Sequence, residues 1–277
     1  MANASIAATD ERVVYRHSAL VRITHWINAL AFVFLLMSGM QIFNAHPALN
    51  WGNKTDFETP ILSLEAVQDK AGAVSGVTTI FGKSFTTTGF LGASRDADGE
   101  IVARGFPTWA TIPSYQDLAA GRRWHFFFAW LLTLNGLVYL YNFLLRGHIR
   151  DFLTSGRELT SIPKAAWDHL RLRFPKGDEA LHYNVLQKLA YLSVVIVLPV
   201  LVLAGLTMSP GMDAAFPWLL DIFGGRQSAR TIHFICAFYL LFFLAVHLAM
   251  VLISGVVNNI VSMITGNYRI EEETHAS

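Results

Sequence analysis

The sequence predicts an all-α integral membrane protein, a four-helix bundle in a single domain over residues 1–277, with a long extracytoplasmic loop between helices 1 and 2. Three observations predict it. The chain is 53% hydrophobic and 15% charged, whereas soluble domains carry about 25% charged residues. Four stretches, near 22–43, 124–145, 183–208 and 231–257, reach the roughly 20 apolar residues that cross a bilayer. The basic residues gather in one short connection, which orients the bundle.

The first helix follows a polar segment bearing Arg12, Arg16 and Arg22, and no cleavable signal peptide is evident before it. The loop 44–123 mixes Trp51, Phe57, Phe81, Phe85, Phe90, Phe106 and Trp109 with Gly and Thr. Those aromatics give it surface to bury, so it reads as an ordered cap, with short strands around Val77 to Phe90, rather than a disordered linker. The connection between the second and third helices carries Arg146, Arg150, Arg157, Lys164, Arg171, Arg173 and Lys176. The positive-inside rule counts short basic loops and discounts long ones. It places this connection and both termini in the cytoplasm, and loop 44–123 outside. Within the same connection 162–173 reads as an interfacial helix, with Trp167 and Leu170 toward lipid and Arg171 and Arg173 near headgroups. A net charge of +1 implies no nucleic-acid partner. The single cysteine, Cys236, excludes an internal disulfide, a cysteine-ligated zinc site and an iron–sulfur cluster.

The fourth span carries the chemistry. His233 and His247 lie fourteen residues apart within it. On an α-helix that spacing advances about 21 Å and returns to nearly the same face. Ionisable groups inside a membrane are costly and mark function, and imidazole is a strong axial ligand for haem iron. Of ten histidines, His17, His46, His148, His169, His182 and His275 read as solvated or interfacial. His25, His125, His233 and His247 lie at membrane depth. Depth pairs His125 with His233 around an outer haem b, and His25 with His247 around an inner one. Two imidazoles leave iron no open position, so such a centre carries electrons rather than binding oxygen. Arg22 near His25, and Arg122, Arg123 and Arg230 near the outer pair, are placed for haem propionates. Gly39, Gly136, Gly205 and Gly255 offer close approach to a macrocycle or a neighbouring helix.

These residues resemble a family. The segment RITHWINAL has an Arg-x-x-His-Trp pattern similar to that of the di-haem, cytochrome b561-like membrane subunits of bacterial formate dehydrogenase, nickel–iron hydrogenase and thiosulfate reductase. The spacing of His233 and His247 and the segment YNVLQK are similar to theirs as well. The resemblance implies a bacterial inner-membrane subunit that exchanges electrons with quinone. It also implies a quinone pocket beside the inner haem built from Tyr183, Asn184, Gln187 and Lys188. The segment SPGMDAAFPW and the long first loop resemble a subgroup whose members sit beside a molybdopterin-dependent extracytoplasmic oxidoreductase, which that resemblance makes the expected partner. The alternative reading keeps the haems in a stand-alone quinone-linked enzyme such as a superoxide oxidase. A third, an ion or proton pathway, lacks the polar residues that its walls require.

Overall fold

The computed structural model describes residues 11–145, 156–171 and 184–271. Helices dominate. Three are long and apolar enough to cross a membrane: α1 (Ala19–Phe43), α5 (Val185–Leu206) and α8 (Arg226–Ile253). The fourth expected span forms α2 (Leu118–Leu145), 28 residues long. Its length suffices, but Arg122, Arg123, Asn135, Asn142 and its Trp and Tyr side chains dilute its hydropathy, so it does not stand with the other three by composition. The chain also contains strands, so all-α is too narrow a description. Its contacts divide into two compact units, each crossed by part of these four helices.

One unit comprises Ile27–Gly136 and Val197–Tyr239, the latter with the short helices α6 (Pro210–Ala215) and α7 (Pro217–Ile222). It holds the long loop, which is folded. Strands β2 (Ala48–Leu49), β3 (Leu62–Gln68), β4 (Val74–Ile80) and β5 (Lys83–Thr86) form an antiparallel sheet in that order, and β6 (Ala93–Arg95) pairs with β7 (Ile101–Ala103). The expected strands near Val77 to Phe90 are present, and the sheet extends on both sides of them. Ile80 pairs with Lys83, so β4 and β5 turn through Phe81 and Gly82 alone. Both turn residues have positive φ, 48° at Phe81 and 76° at Gly82, which fits a two-residue hairpin turn. Bulky side chains rarely adopt that conformation, and Phe81 holds it while 78% exposed.

The cap is fastened by an apolar core and by polar clamps. Phe43, Leu49, Leu64 and Phe106 are buried together, with Phe234 and Phe238 of α8 against them. Asn44 brackets Phe106, accepting from its backbone N–H at 2.6 Å and donating to its carbonyl at 3.2 Å. The Ser228 hydroxyl accepts from the Gly52 N–H at 2.7 Å, and Thr231 donates to the Asn50 carbonyl at 2.6 Å. Two buried loop carbonyls and two backbone N–H groups thus find partners on helix ends, as buried backbone requires. Within the helices of this unit, Phe34 stacks on Phe128 at 4.2 Å, and Ala31, Phe128 and Leu132 form a second core. The Asn135 amide donates to Asn28 at 2.7 Å.

The other unit comprises Met1–Trp26, Leu137–Ile196 and Leu240–Ser277. The segment before the first helix forms β1 (Glu11–Tyr15), which pairs antiparallel with β8 (Asn267–Glu271). The expected fourth span to residue 257 ends earlier, at Ile253. Gly255 takes φ +103°, a conformation open to glycine, and the chain turns there into α9 (Val256–Thr265). Trp26 donates to the Met263 carbonyl at 3.0 Å, and Arg22 donates to that of Ile264. Between the second and third long helices lie α3 (Gly156–Thr160) and α4 (Ile162–Leu170). The latter falls within the segment 162–173 expected to be helical; Trp167 is 54% exposed and the Arg171 guanidinium lies 4.6 Å over its ring. Arg173 lies outside the described residues.

Candidate functional site

The four membrane-depth histidines meet in two pairs. In the unit that carries the cap, the rings of His125 on α2 and His233 on α8 have centroids 6.2 Å apart at an angle of 63°. In the other unit, His25 on α1 and His247 on α8 have centroids 6.3 Å apart at 57°. The separation is informative. A metal held between two imidazole nitrogens at roughly 2 Å each keeps the ring centroids about 6 Å apart. Direct hydrogen bonding between the rings would bring them closer than this. Among the described residues no group of three or more His, Cys, Asp or Glu gathers as a conventional metal centre. The pairs therefore suit a metal whose other ligands are not protein groups, as in a haem.

Hydrogen bonds fix which nitrogen faces inward. The Nδ1 of His233 lies 2.8 Å from the Leu201 carbonyl. A carbonyl only accepts, so Nδ1 carries the proton and Nε2 keeps its lone pair for a metal. The Nδ1 of His125 lies 3.0 Å from Ser38 Oγ, and that hydroxyl is within donating reach of the Phe34 carbonyl at 2.6 Å. With the hydroxyl proton used there, Ser38 accepts from His125, and the tautomer is again Nδ1–H. Glycines make these contacts possible. A Cβ at Gly205 would stand 3.0 Å from His233 Cε1 and 3.1 Å from Nδ1. Its absence lets the ring reach the α5 backbone at Leu201. Gly39 lies against His125 more loosely, at 3.4 Å for the same construction. Gly136 faces open space, and Gly255 serves the turn after α8. In the other pair, His247 stacks on Phe243 at 6.0 Å, and His25 meets Trp26 edge-on at 5.3 Å. The buried Nδ1 of His25 has no hydrogen-bond partner among the described residues.

A family model for prokaryotic cytochrome b561 matches residues 16–266. The chain belongs to the prokaryotic cytochrome b561 family. It is therefore an integral membrane, haem b electron-transfer protein. Among curated proteins it is similar to the putative protein-methionine-sulfoxide reductase subunit YedZ1 of Azospira oryzae, with 29% identity over 253 residues, covering 91% of this chain and 96% of that one.

Arg230 lies one turn from His233, donates to the His46 carbonyl and stands 5.3 Å over Phe43. Burial and this guanidinium hold the His46 imidazole below its usual pKa. Arg22, three residues before His25, spends one N–H on Ile264. Arg122 stacks on Phe126 at 5.4 Å. Arg123 is exposed and two residues from His125, which puts it on a different helix face. His17, which the sequence classes with the solvated histidines, is half-buried. Burial, then Arg16, His25 and Arg22, pull its pKa down to about 4.

At the start of α5, Asn184 and Gln187 form a reciprocal capping box. Gln187 N–H donates to Asn184 Oδ1 at 2.9 Å, and Asn184 N–H donates to Gln187 Oε1 at 3.1 Å. Lys188 makes an ion pair with Glu158 of α3 at 2.8 Å. Tyr183 lies outside the described residues. Sequence reasoning missed Ser38, Leu201 and a buried arginine, Arg104, whose position in the cap nothing in the local sequence distinguishes.

Proposed function

We propose that this chain is the di-haem membrane subunit that moves electrons across the bacterial inner membrane, between the quinone pool and an extracytoplasmic oxidoreductase. The observation that carries this reading is the presence of two histidine pairs, each with the ring separation of a bis-imidazole metal. His125 and His233 hold the outer haem b, and His25 and His247 the inner one. Bound there, haem iron supplies reversible one-electron chemistry. The protein's part would be to present two imidazole lone pairs to each iron and, at the outer pair, to fix the tautomers through Ser38 and the Leu201 carbonyl. In this reading α2 is the fourth span, both termini are cytoplasmic, and Arg22 and Arg230 meet the propionates, while Arg123, on a different face of α2 from His125, does not.

Quinone binds at the start of α5, at Tyr183, Asn184, Gln187 and Lys188. The capping box engages the amide oxygens of Asn184 and Gln187, whereas a quinone carbonyl requires donors, which the amide nitrogens provide. The two roles separate by substitution. Asn184→Ala removes a helix cap and is expected to cost about 1 kcal/mol of stability. Asn184→Asp keeps the cap acceptor and loses the donor. It is expected to leave the melting temperature and haem content nearly unchanged while slowing haem reduction by quinol roughly tenfold or more, the loss of one bond worth about 1–3 kcal/mol. Stopped-flow reduction that is as fast in Asn184→Asp as in the unaltered protein would reject the site.

The partner docks on the cap. The YedZ1 relative is named as a subunit of a protein-methionine-sulfoxide reductase, and a catalytic subunit of that kind, dependent on molybdopterin, fits here. Phe81 offers a specific test. It is an exposed aromatic held in a backbone conformation that asparagine tolerates better. Phe81→Asn is expected to keep or slightly raise stability, keep both haems, and weaken copurification and electron transfer to the partner. Full-rate coupling after Phe81→Asn combined with Trp109→Ser would place the partner elsewhere. Quinol-dependent reduction of the haems, followed by their reoxidation on adding the copurified partner, tests the function as a whole.

A further inference from the structure

We propose that Arg104 sets the reduction potential of the haem held by His125 and His233, as a fixed and uncompensated positive charge held near that pair through Gln41. The inference rests on the di-haem reading above. Arg104 follows β7 in the cap and is 5% exposed. Its guanidinium donates to the Phe106 carbonyl at 2.8 Å, the Gln41 side-chain oxygen at 3.0 Å and the Thr111 hydroxyl at 2.6 Å. All three acceptors are neutral. Among the described residues no carboxylate pairs with it.

Its position follows from α1. Gln41, itself 2% exposed, is three residues beyond Ser38, the hydrogen-bond partner of His125. The same Gln41 side chain packs against Gly121, one turn before His125 on α2. Two helices thus place Gln41 one turn along from the residues that carry and support His125, and the guanidinium sits at the end of the Gln41 side chain. Burying a cation without a counter-charge is costly, and a neutral side chain of similar shape would tie the same loop more cheaply. A positive charge at this place favours the reduced haem, which carries one positive charge fewer. At a separation on the order of 10 Å and an effective dielectric near 20, a unit charge changes the one-electron reduction equilibrium by roughly tenfold, about 60 mV.

The test is a redox titration of the purified, haem-loaded full chain, with the His125–His233 component identified by its absence in His125→Ala. Arg104→Gln is expected to lower the midpoint of that component by about tenfold in equilibrium constant and to leave the other component unmoved. Arg104→Lys, which keeps the charge and loses the planar hydrogen bonds, is expected to hold the original midpoint. If Arg104→Gln fails to fold, Gln41→Glu supplies a near-isosteric carboxylate to pair with the guanidinium, and it is expected to lower the same midpoint. An unmoved midpoint in Arg104→Gln, or in Gln41→Glu where the first does not fold, overturns the inference. So do equal shifts in Arg104→Gln and Arg104→Lys, which would point to hydrogen bonding or water entry rather than charge. A chain that holds no haem on His125 and His233 would instead refute the di-haem reading itself, and haem content measured on the same samples separates the two failures.

Discussion

Replacing His233 by alanine is expected to remove one haem b from each chain and to leave the second in place. His125→Ala should delete the same spectral component, because the rings of His125 and His233 face each other at 6.2 Å. His25→Ala and His247→Ala should delete the other component, following their own 6.3 Å pairing. The effect is large because a bis-imidazole site that loses one ligand keeps a single protein bond to iron, and a second-sphere bond such as that from His233 Nδ1 to Leu201 is lost with the ring. Reduced-minus-oxidised spectra of the four single variants check this. A grouping in which His125→Ala and His25→Ala remove the same component, and no other, would contradict the pairing.

The second large effect is expected at a position with no chemistry of its own. Gly205→Val should cost the His125–His233 haem while sparing the other. Even the first carbon of the new side chain would lie 3.0 Å from His233 Cε1, closer than van der Waals contact, and the branched remainder has no room. His233 would be driven off the Leu201 carbonyl and out of line with His125. Gly136→Ala is the matched control. A Cβ there meets nothing within 4 Å, and alanine favours a helix over glycine by about 1 kcal/mol, so haem content should hold and stability rise slightly. Haem content and melting temperature of both variants provide the check. Retention of both haems in Gly205→Val would show that the ring does not depend on that approach.

Some of this was legible in the sequence and some was not, for physical reasons. The four histidines could be paired because helix rise converts spacing into depth, and the two pairs found are the two that depth allows. Their supporting contacts could not be read. Ser38 and the Leu201 carbonyl are ordinary helix residues until the helices are packed, and a carbonyl leaves no trace in a side-chain pattern. Gly205 and Gly136 look alike in sequence, yet one lies against the His233 ring and the other faces open space. The aromatics of loop 44–123 correctly signalled order, but its strands pair over ranges wider than any short apolar alternation marks. Leu64 and Arg104 stand in loop 44–123 with no local pattern to set them apart, yet both are buried. At the start of α5 the Asn-x-x-Gln spacing is itself a capping signature, so one pattern serves both a local geometry and the proposed quinone contact. The terminal strand pair of β1 and β8 joins segments some 250 residues apart, a contact that no local pattern announces.

The most direct test of the central claim is the ratio of haem b to protein in the purified, unaltered chain, with the spin state read by low-temperature electron paramagnetic resonance. Two haems per chain, both low-spin in the oxidised state, are expected if each histidine pair supplies two imidazoles to one iron. A ratio of one haem per chain, or a second haem that is high-spin, would contradict it.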